Sequence, residues 1–207
     1  MFMCLYLIQK AGSLRVYGSE RVQFWRESSA GTSTLAYFIA LQVAHLPSIL
    51  IAPVFYVLCF YQLVGPLAPL LSYYTLALCV YWCAAGLGYL VSVVAPPKQA
   101  QLAGVLAVLV SMMFSGTTPM LSVLKEILGG LLYWPTYISF VRWSTEWFVI
   151  NELQHYTQIY DVQPGLALYS YSFDDFAPCI IGILLIGSVA RILAFLALTL
   201  LNRDKRL

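Results

Sequence analysis

Residues 28–97 read SSAGTSTLAYFIALQVAHLPSILIAPVFYVLCFYQLVGPLAPLLSYYTLALCVYWCAAGLGYLVSVVAPP, without one Asp, Glu, Lys or Arg. A hydrocarbon layer about 30 Å thick takes ~20 apolar residues per crossing helix, so this run holds two crossings. Gly65-Pro66-Leu67-Ala68-Pro69 divides them, since glycine and proline punctuate helices. Working outward, a second uncharged run covers 99–124 and a third 176–190, after which Arg191 interrupts an apolar stretch reaching Asn202. The pattern predicts an all-α, polytopic transmembrane bundle with spans near 36–63, 70–95, 100–122 and 178–201. Met1–Ile8 is too short to cross and reads as the end of a helix. It has neither the charged start nor the cleavage site of a signal peptide.

Composition agrees. Of 207 residues, 61% are hydrophobic and only 10% charged, with mean hydropathy +0.80. A soluble domain carries about 25% charged residues, so a soluble globular body, a disordered tail and a nucleic-acid binder are all excluded. The lipid bilayer is the expected surrounding. Net charge is +2, too small to indicate a polyanionic partner.

The bases are distributed unevenly. Four spans place Lys10, Arg15, Arg21, Arg26, Lys98, Arg203, Lys205 and Arg206 on one side. The other side carries Lys125 and Arg142, with the acids Glu126, Glu146, Glu152, Asp161, Asp174 and Asp175. Short basic loops stay cytoplasmic, so the N-terminal segment and the C-terminus are expected there. Residues 123–177 then form an outer segment. Its part 131–155 is rich in aromatics (Trp134, Tyr137, Phe140, Trp143) and reads as an amphipathic helical region at the outer headgroup layer, or dipping into it. Residues 156–175 read as an exposed loop turning at Pro164-Gly165.

Several residues stand out. Gln42, His45 and Ser48 share roughly one helical face, and Pro47 and Pro53 can kink that helix. Such a stripe either lines a substrate path or fastens the bundle by interhelical hydrogen bonds worth ~0.6 kcal/mol each. Ala84/Gly88 and Ala100/Gly104 have the spacing of close helix packing. Arg191, deep in its span, costs about 2.5–3.5 kcal/mol against lipid, so it should face protein or water as a structural intramembrane charge. Arg142 and Glu146, four apart, form a local brace in the outer segment. Cys4, Cys59, Cys79 and Cys83 fall in apolar segments, and Cys179 has no outer cysteine to pair with. A phosphate-binding glycine loop, a His-Glu-x-x-His pair and an assembled catalytic triad are all missing from the sequence. No catalytic, cofactor or metal residue is therefore assigned. The stretch Glu20-Arg21-Val22-Gln23-Phe24-Trp25-Arg26-Glu27 mixes both charge signs with two large aromatics beside a span, the make-up of a contact surface for a soluble partner.

That stretch, continued as Ser28-Ser29-Ala30-Gly31 and Leu35-Ala36-Tyr37-Phe38, resembles the membrane domain of ABC transporters of the ABCG (white/brown) family. There an E-R-x-x-F-x-R-E-x-x-x-G…A-Y-F run follows the second helix. Phe114-Ser115-Gly116 is similar to a motif ending the fifth helix. Trp134-x-x-Tyr137-x-Ser139-x-x-Arg142, Glu146 and Asn151-Glu152 are similar to the outer re-entrant region before the sixth. Residues 96–102 and 191–195 are most similar to a plant-type branch.

The resemblance implies a half-transporter permease for a hydrophobic or amphipathic substrate. Its partners are a nucleotide-binding domain that holds ATP and Mg2+ outside this chain and a second half-transporter, the same or different. Glu20, Arg21, Phe24, Arg26 and Glu27 would couple to the ATPase domain. Phe114, Thr117 and Thr118 would line the path, with Thr117-Thr118 where some members carry a leucine pair proposed as an extrusion valve. The alternative is a truncated, non-transporting membrane subunit or regulatory partner of a full-length relative. An intramembrane enzyme has no positive support.

Overall fold

The computed structural model describes residues 24, 26–27, 30–96, 99–116, 126, 134–157 and 159–201. Helix α1 (Thr34–Val64) starts where the Ser33 hydroxyl accepts from the Ala36 amide, a standard N-cap. It ends at Gly65, whose φ of 59° is the left-handed conformation glycine adopts at little cost. Pro47 and Pro53 lie inside α1, which membrane helices tolerate. Helix α2 (Leu70–Val94) stops ahead of Pro96-Pro97, because a residue before proline avoids the helical conformation.

Helix α3 (Ala100–Met113) is shorter than the 100–122 span read from sequence. Phe114–Gly116 leaves the helix with Gly116 at φ 75°, and 117–122 lie outside the described residues. Helix α7 (Phe176–Leu200), preceded by a 3-10 turn at Phe173–Asp175, completes the apolar set. Among the described residues three helices, α1, α2 and α7 with its preceding turn, are long and apolar enough to cross a membrane. No strand occurs among the described residues. The chain is an integral membrane protein with an all-α fold.

Helix α2 is the axis of the bundle. Side chains on nearly all its faces are buried, against α7 most extensively, then α1, and the outer segment at its start. Tyr81, Ala85, Tyr89 and Val93 of α2 share a core with Phe38 of α1, Ala194 and Leu198 of α7, and Phe24. At the opposite end Leu76, Val80 and Cys83 pack on Phe140, Trp147, Cys179 and Ile183. Helix α1 therefore runs antiparallel to α2, and α7 parallel to it.

The outer segment departs from a single amphipathic helix. It breaks at Ser139 into α4 (Pro135–Ile138) and α5 (Phe140–Tyr156). The Ser139 hydroxyl donates to the Ser111 carbonyl, 2.6 Å, tying the break to α3. Two of the three charges of α5, Arg142 and Glu146, are buried rather than displayed. Pro164-Gly165 is not a turn. Pro164 opens helix α6 (Gln163–Tyr169), where a missing N–H costs nothing, and Ser170 closes it at φ 57°.

Candidate functional site

Arg191 is 7% exposed, in mid-α7. Its Nε donates to Gln42 Oε1 of α1 at 2.9 Å, and Nη1 donates to the Trp82 carbonyl of α2 at 2.8 Å and to Gly187 O at 3.2 Å. The guanidinium carbon lies 3.5 Å over the Trp82 ring, a cation–π contact that strengthens when water is excluded. One side chain thus joins the three long helices at a single level.

Arg191 reaches α2 because the two backbones nearly touch. A Cβ on Gly86 would sit 2.5 Å from Gly187 O, and one on Gly187 would sit 2.8 Å from Cys83 Cα. Beside this crossing, α1 and α7 diverge into a groove of about 490 Å³. Leu35, Phe38, Ile39 and Leu46 form one wall, Ile192 and Phe195 the other, with Gln42, Trp82 and Arg191 at its base. The lining is overwhelmingly apolar, suited to hydrocarbon or an amphipathic solute.

The polar stripe of α1 does not stay together. Gln42 meets Arg191, His45 turns its ring toward Tyr89 (6.1 Å between centroids), and Ser48 is exposed. Only Gln42 of the three lines the groove. Phe114 is half-buried at the end of α3, apart from the groove, and Thr117 and Thr118 lie outside the described residues. In the coupling stretch, Phe24 is buried with its ring 4.8 Å from Tyr37, Arg26 is exposed and Glu27 half-buried. Glu20 and Arg21 lie outside the described residues.

At the opposite end, Arg142 Nε and Glu146 Oε2 are 3.9 Å apart, and Arg142 Nη1 donates to Thr136 at 3.0 Å. Burial pushes the Glu146 carboxyl up to about 7, with Arg142 opposing and Asp175 adding to the rise. Two arrangements escaped the sequence reading. The Gly86–Gly187 approach is one. Gly187, Ala190 and Ala194 form a small-residue face on α7 that could have revealed it. The other is Glu152, which accepts from the Leu67 amide at 3.0 Å and from the Tyr73 hydroxyl, binding α5 to the α1–α2 turn. Among the described residues no three His, Cys, Asp or Glu side chains converge as metal ligands.

These features define a membrane-embedded helical domain, and the chain belongs to the ABC-2 type transporter family, whose pattern it matches over residues 2–204. Membrane domains of this family work with nucleotide-binding domains in ABC transporters. The chain is 29% identical over 191 residues to the putative white-brown complex homolog protein 30 of Arabidopsis thaliana. It is 27% identical over 191 residues to ABC transporter G family member 28 of the same plant. Over 194 residues it is 29% identical to ABC transporter G family member 25 of Oryza sativa subsp. japonica. These alignments cover 91%, 91% and 93% of this chain but 17%, 16% and 18% of the relatives. The chain spans less than a fifth of the length of each of these three relatives.

Proposed function

We propose that this chain is the permease part of an ATP-driven ABCG-type transporter that moves a hydrophobic or amphipathic substrate across a membrane. ATP and Mg2+ are held by a nucleotide-binding domain outside residues 1–207, and a second half-transporter, identical or different, completes the assembly. The observation that carries the reading is the groove between α1 and α7. It is wide enough for a lipophilic solute, and its lining is mostly aliphatic and aromatic, with Gln42, Ser188 and Arg191 as the polar exceptions. Similarity to ABC transporter G family members over most of the chain supports the same reading. The end of the bundle bearing Phe24, Arg26 and Glu27 is taken as cytoplasmic from the excess of Lys and Arg on that side.

The test places residues 1–207 in a polypeptide carrying its nucleotide-binding domain, reconstituted in vesicles. Leu46→Trp, which fills the groove, should lower transport of a lipophilic fluorescent substrate at least fivefold while basal ATPase persists. Unchanged transport by a correctly inserted variant would remove the groove from the substrate path.

A further inference from the structure

The outer segment contains a titratable group that transport through the groove leaves unused. Glu146 is 2% exposed in mid-α5. Its Oε2 accepts no hydrogen bond, and the nearest cation, Arg142 Nε, is 3.9 Å away. Charge-assisted N–H···O bonds close to about 2.7–2.9 Å, so this pair is in range but not engaged.

The Arg142 guanidinium is turned toward α4 instead. Nη1 donates to Thr136, and the guanidinium carbon lies 4.3 Å from the Tyr137 ring centre and 5.0 Å from that of Trp143. Trp143 adds a second tie, its Nε1 donating to the Tyr137 carbonyl at 2.8 Å. Two residues of α4, Thr136 and Tyr137, are thus held by Arg142 and its neighbour.

The other groups facing Glu146 favour a neutral acid. Asp175, just before α7, contributes a like charge. Cys179, in the first turns of α7, lies in the field of the same carboxyl. Tyr171, bonded to Thr145, has its phenol pushed up to about 12 by burial, so it stays neutral while Glu146 titrates. A buried carboxyl with a like-charged neighbour and an imperfectly placed cation keeps its proton.

We propose that Glu146 is a proton-binding site of the outer segment, and that release of its proton draws the Arg142 guanidinium from Thr136 and loosens α4 from α5. The step is a simple ionisation. The carboxylic acid gives H+ to the outer solution, the carboxylate stays on Glu146, and Arg142 remains a cation throughout. The new Arg142–Glu146 bond replaces the Arg142–Thr136 bond, so protonation selects between two arrangements of one short helix. Acid closes the segment and alkali opens it.

The experiment uses the 207-residue chain in lipid nanodiscs between about pH 5 and about pH 9, bracketing the neutral range. Difference infrared spectroscopy reads the carboxylic-acid carbonyl band, and deuterium exchange corrected for intrinsic rate reads the amides of 135–138. The expected result is one carboxyl titrating near pH 7, with exchange at 135–138 rising severalfold through the same midpoint. Glu146→Gln should abolish the band and hold exchange at the acid level across the range. Asp175→Asn, which removes the like charge, should lower the midpoint by about one unit or less. Exchange at 135–138 that ignores pH, or a transition that survives in Glu146→Gln, overturns the proposal. Should Glu146→Gln fail to fold, wild type against Asp175→Asn decides, and an unmoved midpoint then also overturns it.

Discussion

Gly86→Ala adds one methyl group where α2 and α7 cross, and the structure sets its cost. The new Cβ would stand 2.5 Å from Gly187 O, 3.0 Å from Arg191 Nη1 and 3.3 Å from Gly187 C. Non-bonded carbon contacts are comfortable near 3.5–4.0 Å, so the backbones must part by about 1 Å. Overpacking of this kind costs ~1–3 kcal/mol, while alanine regains ~1 kcal/mol of helix propensity over glycine. The net loss is up to ~2 kcal/mol, which for a domain near 200 residues lowers the unfolding midpoint by up to about 8 °C. Gly165→Ala is the internal control. It also lies in a helix, but nothing stands within 4 Å of its Cβ, so it should match or exceed wild type. The assay is thermal unfolding of each chain in one detergent at a fixed scan rate, followed by near-ultraviolet circular dichroism. A Gly86→Ala midpoint at or above wild type would show that the α2–α7 crossing is loose, and the argument from close approach would fail.

Other outcomes follow from the same geometry. Arg191→Met leaves the Gln42 side chain and the Trp82 carbonyl without their donor, and should cost ~1–2 kcal/mol by chemical denaturation in detergent. Arg191→Lys should recover only part of this, because one ammonium cannot fork to two helices as a guanidinium does. Glu152→Gln weakens the acceptor shared by the Leu67 amide and the Tyr73 hydroxyl; limited proteolysis should then cut the 65–69 turn faster than in wild type. Arg26→Ala, in a version carrying its nucleotide-binding domain, should uncouple substrate-stimulated ATPase from transport at matched surface expression, with wild-type stimulation refuting the coupling role. Burial raises the Glu146 carboxyl to about 7. Its contribution to stability is therefore complete below the unfolded value of about 4.3 and falls as pH rises through 7. Unfolding midpoints at pH 5 and pH 8 check the sign, with Glu146→Gln removing the difference.

The long apolar helices were legible because lipid imposes one rule on sequence: every backbone group must be satisfied within its own segment. Hence α1 and α2 stand out from an uncharged run broken by Gly65 and Pro66. The expectation that Arg191 avoids lipid follows from the price of a mid-membrane cation, and its side chain is buried among three helices. Its partners were less legible. Gln42 was one of three polar residues at helical spacing, and periodicity alone does not say which meets a cation 149 positions away. The outer segment was read least well. Its charges look solvent-bound in sequence, yet Arg142 and Glu146 are buried because α5 turns that face toward the bundle. Tertiary packing decides this, as it does when Pro164 begins a helix instead of making a turn.

The distribution of ties implies a division of labour among the helices. In a bilayer, apolar side chains gain little by meeting each other rather than lipid tails, so close backbone packing and polar contacts hold helices together. Helices α2 and α7 have both, through Gly86, Gly187 and the Arg191–Trp82 bond. Helix α1 contains no glycine, is the least buried of the three, and carries one groove wall. Its polar ties are spaced along its length: Gln42 to Arg191 near the groove, the Leu50 carbonyl accepting from Tyr74, and the turn after Gly65 held by Glu152. Helix α1 is thus held to the α2–α7 pair by apolar packing at Phe38, Ile49 and Val57 and by separate polar ties. At the groove itself, the Gln42–Arg191 bond is the polar tie between α1 and α7.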